Sequence, residues 1–111
     1  MIVNHDSAKS LDSGPGVTRK NLSRGGILMS VEFTFEKGSV GAVHSHPHEQ
    51  IGYIVKGQFE LEMDGDKQTV AAGDTYYVPS DTPHGVVALE AGVIFDVFTP
   101  HRDDFIAQEN Q

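Results

Sequence analysis

The residues able to do chemistry in this chain crowd into one short run, His44-Ser45-His46-Pro47-His48-Glu49-Gln50, with a further imidazole at His84. If His44 and His46 lie on one strand, alternate side chains leave the same face and both imidazoles can reach one ion. His84 follows a turn-rich stretch from Pro79 to Pro83, so a third ring can be delivered from across the fold. Three imidazoles plus one oxygen donor suit a divalent first-row transition metal with one or two coordination positions open to water or substrate. Glu49 and Gln50 compete for the oxygen position, and spacing alone does not choose between neighbours. His48 reads as a supporting or pocket-lining group, and His5 and His101 as bystanders. Nickel, zinc, iron and manganese all accept such a donor set.

Composition narrows the alternatives. The chain has 111 residues, the length of one domain, and no Cys, which excludes a disulfide framework, a thiolate metal site and thiol catalysis. The formal charge of -8 argues against sequence-independent nucleic-acid binding and against docking on anionic membranes. That acidity is uneven: residues 1–40 carry 5 basic and 4 acidic side chains, and residues 41–111 carry 3 and 12. No run reaches the ~20 apolar residues of a membrane span, and Met1-Ile2-Val3-Asn4-His5-Asp6 lacks the order of a signal peptide, so a cytoplasmic protein is expected. Asn21-Leu22-Ser23 fits a glycosylation sequon by chance.

The elements that must position these side chains read as strands. Met29, Val31, Phe33 and Phe35 alternate with polar residues, the period-two pattern of a half-buried strand. Ile51 to Val55 and then Phe59, Leu61 and Met63 give two further segments meeting at Gly57 as a meander, followed by a hairpin turn at Asp64-Gly65-Asp66. Short strands follow over 75–78, 85–89 and 93–99, separated by Gly-, Pro- and Asp-rich turns. No helical run of ten or more residues is visible, and an all-β sandwich or jelly-roll barrel is expected. The domain divides into an irregular N-terminal arm over 1–26, a barrel over 27–100 and a tail over 101–111 that forms at most one helical turn. In the last strand Asp96 shares a face with Ile94 and Phe98. A carboxylate flanked by apolar side chains either pairs structurally or works in a pocket.

The segment Gly38-x5-His44-x-His46-x3-Gln50-x6-Gly57 resembles the first motif of the cupins, and Gly73-x5-Pro79-x4-His84 resembles the second. The resemblance spans about residues 27–99 and implies a small double-stranded β-helix. It also implies a metal held by His44, His46, Gln50 and His84, which resolves Glu49 against Gln50. Three positions depart from the pattern: Gln50 where Glu is usual, Asp81 where Gly is usual and Ala88 where Asn is frequent. An all-neutral ligand set leaves the ion its full charge, a stronger Lewis acid toward an anionic chelating substrate.

A narrower resemblance lies in His44 to Tyr53, Pro83-His84-Gly85-Val86, Asp96 to Phe105 and the Asn4-His5-Asp6 start, which look like the small pectin-degradation cupins that act as ketouronate isomerases. It implies conversion of a cyclic 4,5-unsaturated uronate into its linear 5-keto-4-deoxy form. It further implies Asp96 as acid/base group, Phe98 as a wall for the sugar ring and Arg102 as a carboxylate clamp, and it suggests a homodimer. The alternatives are a metal-dependent cupin dioxygenase and a non-catalytic sugar-acid-binding cupin, since fold and metal alone never establish turnover.

Overall fold

The computed structural model describes residues 1–110; Gln111, the end of the expected tail, lies outside the described residues. Alternating burial builds two antiparallel sheets, in agreement with the all-β expectation. One sheet has six strands in the order β1 (Leu11–Asp12), β2 (Val17–Gly25), β3 (Leu28–Phe35), β10 (Gly92–Thr99), β5 (Glu49–Lys56) and β8 (Thr75–Val78). The other has four, in the order β4 (Val40–His44), β9 (His84–Ala88), β6 (Gln58–Met63) and β7 (Asp66–Ala71). Among the described residues no helix is long and apolar enough to cross a membrane.

β5 and β6 meet at Gly57 as expected, but they belong to different sheets, so the connection is a corner and not a meander. A Cβ at Gly57 would strike the Ala91 carbonyl, and its φ of 89° is a left-handed value, so both space and backbone require glycine at the corner. The hairpin joining β6 to β7 has a two-residue loop, Asp64-Gly65, with both φ values positive, the combination a type I′ turn demands. Asp81 also sits at positive φ, 61°, which accounts for glycine being usual there in the motif it resembles.

The N-terminal arm requires correction. Residues 17–25 pair along β3 in a nine-residue strand, and Val17 joins the main core with Phe35, Ile54, Phe59 and Ile94. The strand escapes detection because the residues that share Val17's buried face, Arg19 and Asn21, are polar. Asn21 is buried, donating to the Phe105 carbonyl at 3.0 Å and to Glu109 at 2.8 Å. The tail is likewise structured: α1 (Asp103–Gln108) exceeds one turn and packs Phe105 and Ile106 against Met29, Val31 and Phe98.

The interior forms two apolar clusters, one around Phe59 and Ile54 and the other around Met29, Val31 and Phe98. Along β10 the inward series is Ile94, Asp96, Phe98, so one polar residue separates the two clusters. On the opposite face of the same sheet Ile51, Tyr53, Val55 and Tyr77 are exposed side by side, with Ile51 registered between Tyr77 and Val97.

Candidate metal centre and adjoining pocket

His44 ends β4, and a register irregularity lies between Gly41 and His44. In a regular ladder Val43 would face His84; the extra residue advances His44 into that position. Gly85 makes room for this bulge, since a Cβ there would lie 2.8 Å from the Gly41 carbonyl oxygen and 2.9 Å from the Val43 nitrogen. His46 lies in the loop after β4, so the shared-strand premise fails although the two rings still converge. The ring centroids of His44, His46 and His84 lie 5.4, 4.6 and 4.8 Å apart in pairs. One ligand nitrogen from each comes within 4.8 Å of the others.

Backbone carbonyls set the tautomers. His44 Nδ1 donates to Ala42 O at 2.8 Å, His46 Nδ1 to His48 O at 3.1 Å and His84 Nδ1 to Thr82 O at 2.9 Å. A ring whose Nδ1 carries the proton presents Nε2 as a lone pair, the arrangement of a metal-ligating imidazole. Burial, with the nearby Arg102 and His84 charges, pushes His46 down to about 4, and burial lowers His84 as well. Both rings are therefore neutral at pH 7, as ligation requires.

Gln50 supplies the oxygen. It points inward from β5, and its Oε1 lies 3.2 Å from His46 Nε2. Two donors each ~2.1 Å from one ion, at tetrahedral to octahedral angles, stand about 3.0–3.4 Å apart, so this pair fits a shared ion. Glu49 instead faces outward and accepts a 2.8 Å bond from the Tyr77 hydroxyl. His48 donates from Nε2 to the His101 carbonyl at 3.0 Å, tying the ligand loop to the C-terminal segment and taking no part in the cluster. His5 pairs with Glu32 at 2.7 Å on the surface.

A cavity of about 320 Å³ adjoins the imidazoles, lined by His44, Gln50, His84, Asp96, Phe98 and Arg102 among others. Asp96 is 4% exposed, and burial pushes its carboxyl up to about 6, against the opposing effect of hydrogen bonds from Gln50 and Tyr76 and of the Arg102 charge. The Gln50 amide thus turns its acceptor toward His46 and its donor toward Asp96. A Glu at this position would set a second carboxylate against the first. Phe98 stands edge-on to His46, with centroids 5.8 Å apart. Arg102 is buried, and its Nε and Nη2 donate to Asp104 at 3.1 and 2.9 Å while its guanidinium lies 3.9 Å from the Phe105 centroid and 5.0 Å from that of Phe98. Both bonds to Asp104 leave Nη1 without a partner among the described residues.

Two side chains escape the sequence reading. Tyr76 lines the cavity and donates a 2.8 Å hydrogen bond to Asp96 Oδ1. Arg19, from the strand hidden in the expected arm, lies 3.9 Å from the Phe105 ring centroid and donates to Ser13 and Gln108. The signal for Arg19 is its parity with Val17, legible only once that segment is recognised as a strand.

Residues 31–98 match the family model described as Cupin_2, cupin domain. The pectin degradation protein KdgF of Dickeya dadantii (strain 3937) is 41% identical over 95 residues, which cover 84% of this chain and 86% of that protein. The structure of KdgF from a Halomonas species superposes with a TM-score of 0.90 at 40% identity, over 95% of this chain and 99% of that one. An RmlC-like cupin from Shewanella frigidimarina also gives 0.90, at 36% identity over 94% of each chain.

Replacing His44 or His84 with Ala is expected to drop the purified protein from about one bound divalent ion per chain to almost none by elemental mass spectrometry, with far-UV circular dichroism unchanged. A second outcome concerns Asp96. Its carboxyl holds a proton more tightly in the folded chain than in the unfolded one, so folding is opposed while it is ionised, and that penalty fades as pH falls from about 6 toward 3.8. In chelator-treated protein, Asp96→Asn is expected to raise unfolding free energy at pH 7–8 by roughly 1–3 kcal/mol, and the gain should disappear near pH 4. Denaturant titration of both proteins across that range measures it.

Proposed function

This chain belongs to the cupin family, and from that premise we propose that it is a metal-dependent ketouronate isomerase that opens cyclic 4,5-unsaturated uronates to linear 5-keto-4-deoxyuronates. The observation that carries the reading is the meeting, at one cavity, of the three-imidazole cluster, a buried carboxyl at Asp96 and the guanidinium of Arg102. The similarity to two KdgF proteins, one of them described as a pectin degradation protein, supports the substrate class.

The chemistry needs one base that later serves as an acid. Asp96 takes the proton of the anomeric hydroxyl, and the bond from C1 to the ring oxygen breaks as the C1 aldehyde forms. The electron pair stays with the ring oxygen as an enolate across C5 and C4. Asp96 returns its proton to C4, and the enolate becomes the C5 ketone, so no atom is gained or lost. Arg102 binds the uronate carboxylate through the free Nη1, and Phe98 bounds the ring. A divalent ion held by His44, His46, Gln50 and His84 supplies Lewis acidity toward the oxygen charge that develops. The neutral donor set leaves that acidity undiminished.

The homodimer belongs to the same reading. The apolar strip of Ile51, Tyr53, Val55 and Tyr77 on the outer sheet face supports association of two copies, because exposed contiguous apolar surface is costly in water. Light scattering is expected to give twice the 12.0 kDa chain mass, and Tyr53→Lys together with Tyr77→Lys to give the monomer.

For the reaction, purified metal-loaded protein is expected to accelerate loss of the ultraviolet absorbance of an unsaturated uronate. Asp96→Asn should slow this by two or more orders of magnitude with metal content intact. Arg102→Ala should raise KM by about 10–100-fold, the contribution of one charged hydrogen-bonded contact. Uronate bound but unchanged would favour the binding cupin, and oxygen consumed with a phenolic or thiol substrate would favour the dioxygenase.

A further inference from the structure

Gly52 lies in the middle of β5, which is itself flanked by β10 and β8. Nothing about its backbone calls for glycine, because its φ is not among the positive values of the chain. Glycine inside a central strand weakens it and often marks the close approach of another group. Here that group is a side chain: a Cβ on Gly52 would collide with the ring tip of Tyr76, at Cζ, Cε2 and the hydroxyl oxygen.

The register explains why the ring is there. Tyr76 on β8 is paired with Gly52, and Gly52 is paired with Asp96 on β10, so the three residues form one row across three strands. The outer members of such a row are about 9.5 Å apart at the backbone, twice the strand spacing. A tyrosine can bridge that distance only if the residue between presents no side chain. The bare Gly52 leaves the path open, and the Tyr76 hydroxyl reaches Asp96 Oδ1 at 2.8 Å.

We propose that Tyr76, admitted by Gly52, is a positioning residue for the reaction: it holds Asp96 Oδ1 as a donor and, together with the Gln50 amide, fixes the plane of the carboxylate that exchanges the proton with substrate. The inference rests on the reading of Asp96 given above. Tyr76 does not itself give up its proton, since burial and the adjacent Asp96 carboxylate hold that proton on well above the usual phenol range. It is a fixed donor, and a fixed donor restricts the carboxylate's rotation. A carboxylate held in one orientation keeps its oxygen in line with C4, and one that has lost the bond is aligned for less of the time.

The test uses metal-loaded protein and an unsaturated uronate. Tyr76→Phe is expected to lower kcat by about 10–100-fold with KM within twofold, metal content unchanged and far-UV circular dichroism unchanged. Gly52→Ala keeps the tyrosine but pushes its hydroxyl off Asp96, so it should reproduce the loss of kcat. The double variant should be no slower than either single one, because all three lose the same bond. If Gly52→Ala does not fold, Tyr76→Phe alone decides. Wild-type kcat in Tyr76→Phe, with Asp96→Asn inactive, would overturn the positioning role and leave the isomerase reading intact. Full turnover by Asp96→Asn would overturn the reading of Asp96 and this inference with it.

Discussion

Each of the three clustered imidazoles gives its Nδ1 proton to a carbonyl oxygen two residues away in its own chain segment, and these three hydrogen bonds govern what the cluster can do. They fix the tautomer, so three Nε2 lone pairs converge on one point instead of three N–H groups. They also cost the interior no additional polar side chains, since the backbone supplies every acceptor. The geometry upstream serves that convergence. The bulge in β4 brings His44 opposite His84, and Gly85 leaves space for the bulge's backbone. Because the acceptors lie so near in sequence, each ring's aim follows from local turn and strand geometry, and the assembled fold has only to bring the three segments together.

Such a site is dear for a domain of this size. Two inward positions of central strands, Gln50 and Asp96, are given to polar groups, and the apolar interior is split into two clusters around them. An ion held there would return part of that cost, because anything that binds the folded chain alone stabilises it by mass action. Tertiary structure from both ends of the chain compensates further. β2 and α1 meet over Phe105, whose ring lies 3.9 Å from the guanidinium carbon of Arg19 and equally 3.9 Å from that of Arg102. Asn21, Arg24 and Glu109 fasten the same junction with hydrogen bonds and an ion pair.

The sequence discloses what rests on spacing or alternation and conceals what rests on register. The four candidate ligands are legible because their spacing forms a pattern, and β3, β8 and β10 because large apolar residues recur every second position. Choosing Gln50 over Glu49 needs the inward parity of β5, which the family pattern carries and composition does not. β2 is hidden because its buried face reads Val17, Arg19, Asn21, so a search for alternating apolar residues passes over it. β7 is hidden for the opposite reason: five of its six residues are not buried, which leaves no apolar alternation to find. Tyr76 escapes because its role depends on two neighbours 24 and 20 positions away, Gly52 and Asp96, brought into one row by strand pairing. No local pattern in the chain encodes that row.

Net charge shows the same separation between what is summed and what is placed. A chain with formal charge -8 looks unsuited to an anionic substrate, yet potential inside a buried cavity is set by the few charges that line it. Here those are the guanidinium of Arg102 and one carboxyl, while burial holds the His46 and His84 rings in the neutral form. Asp104 does not cancel the arginine in the way its two hydrogen bonds suggest. It is 61% exposed, against 9% for Arg102, so water screens the acid far more than the base. Its carboxylate fixes the guanidinium plane beside Phe98 and Phe105 through Nε and Nη2, and the third nitrogen is left over. Under the proposed function, an uronate carboxylate reaching Nη1 would meet a donor already oriented and already stripped of most of its water, and less side-chain freedom would be lost on binding than a flexible surface arginine would lose. An acidic shell and the proposed anion-binding pocket are therefore compatible, because screening separates them and the pairing that seems to neutralise Arg102 is what holds it in place.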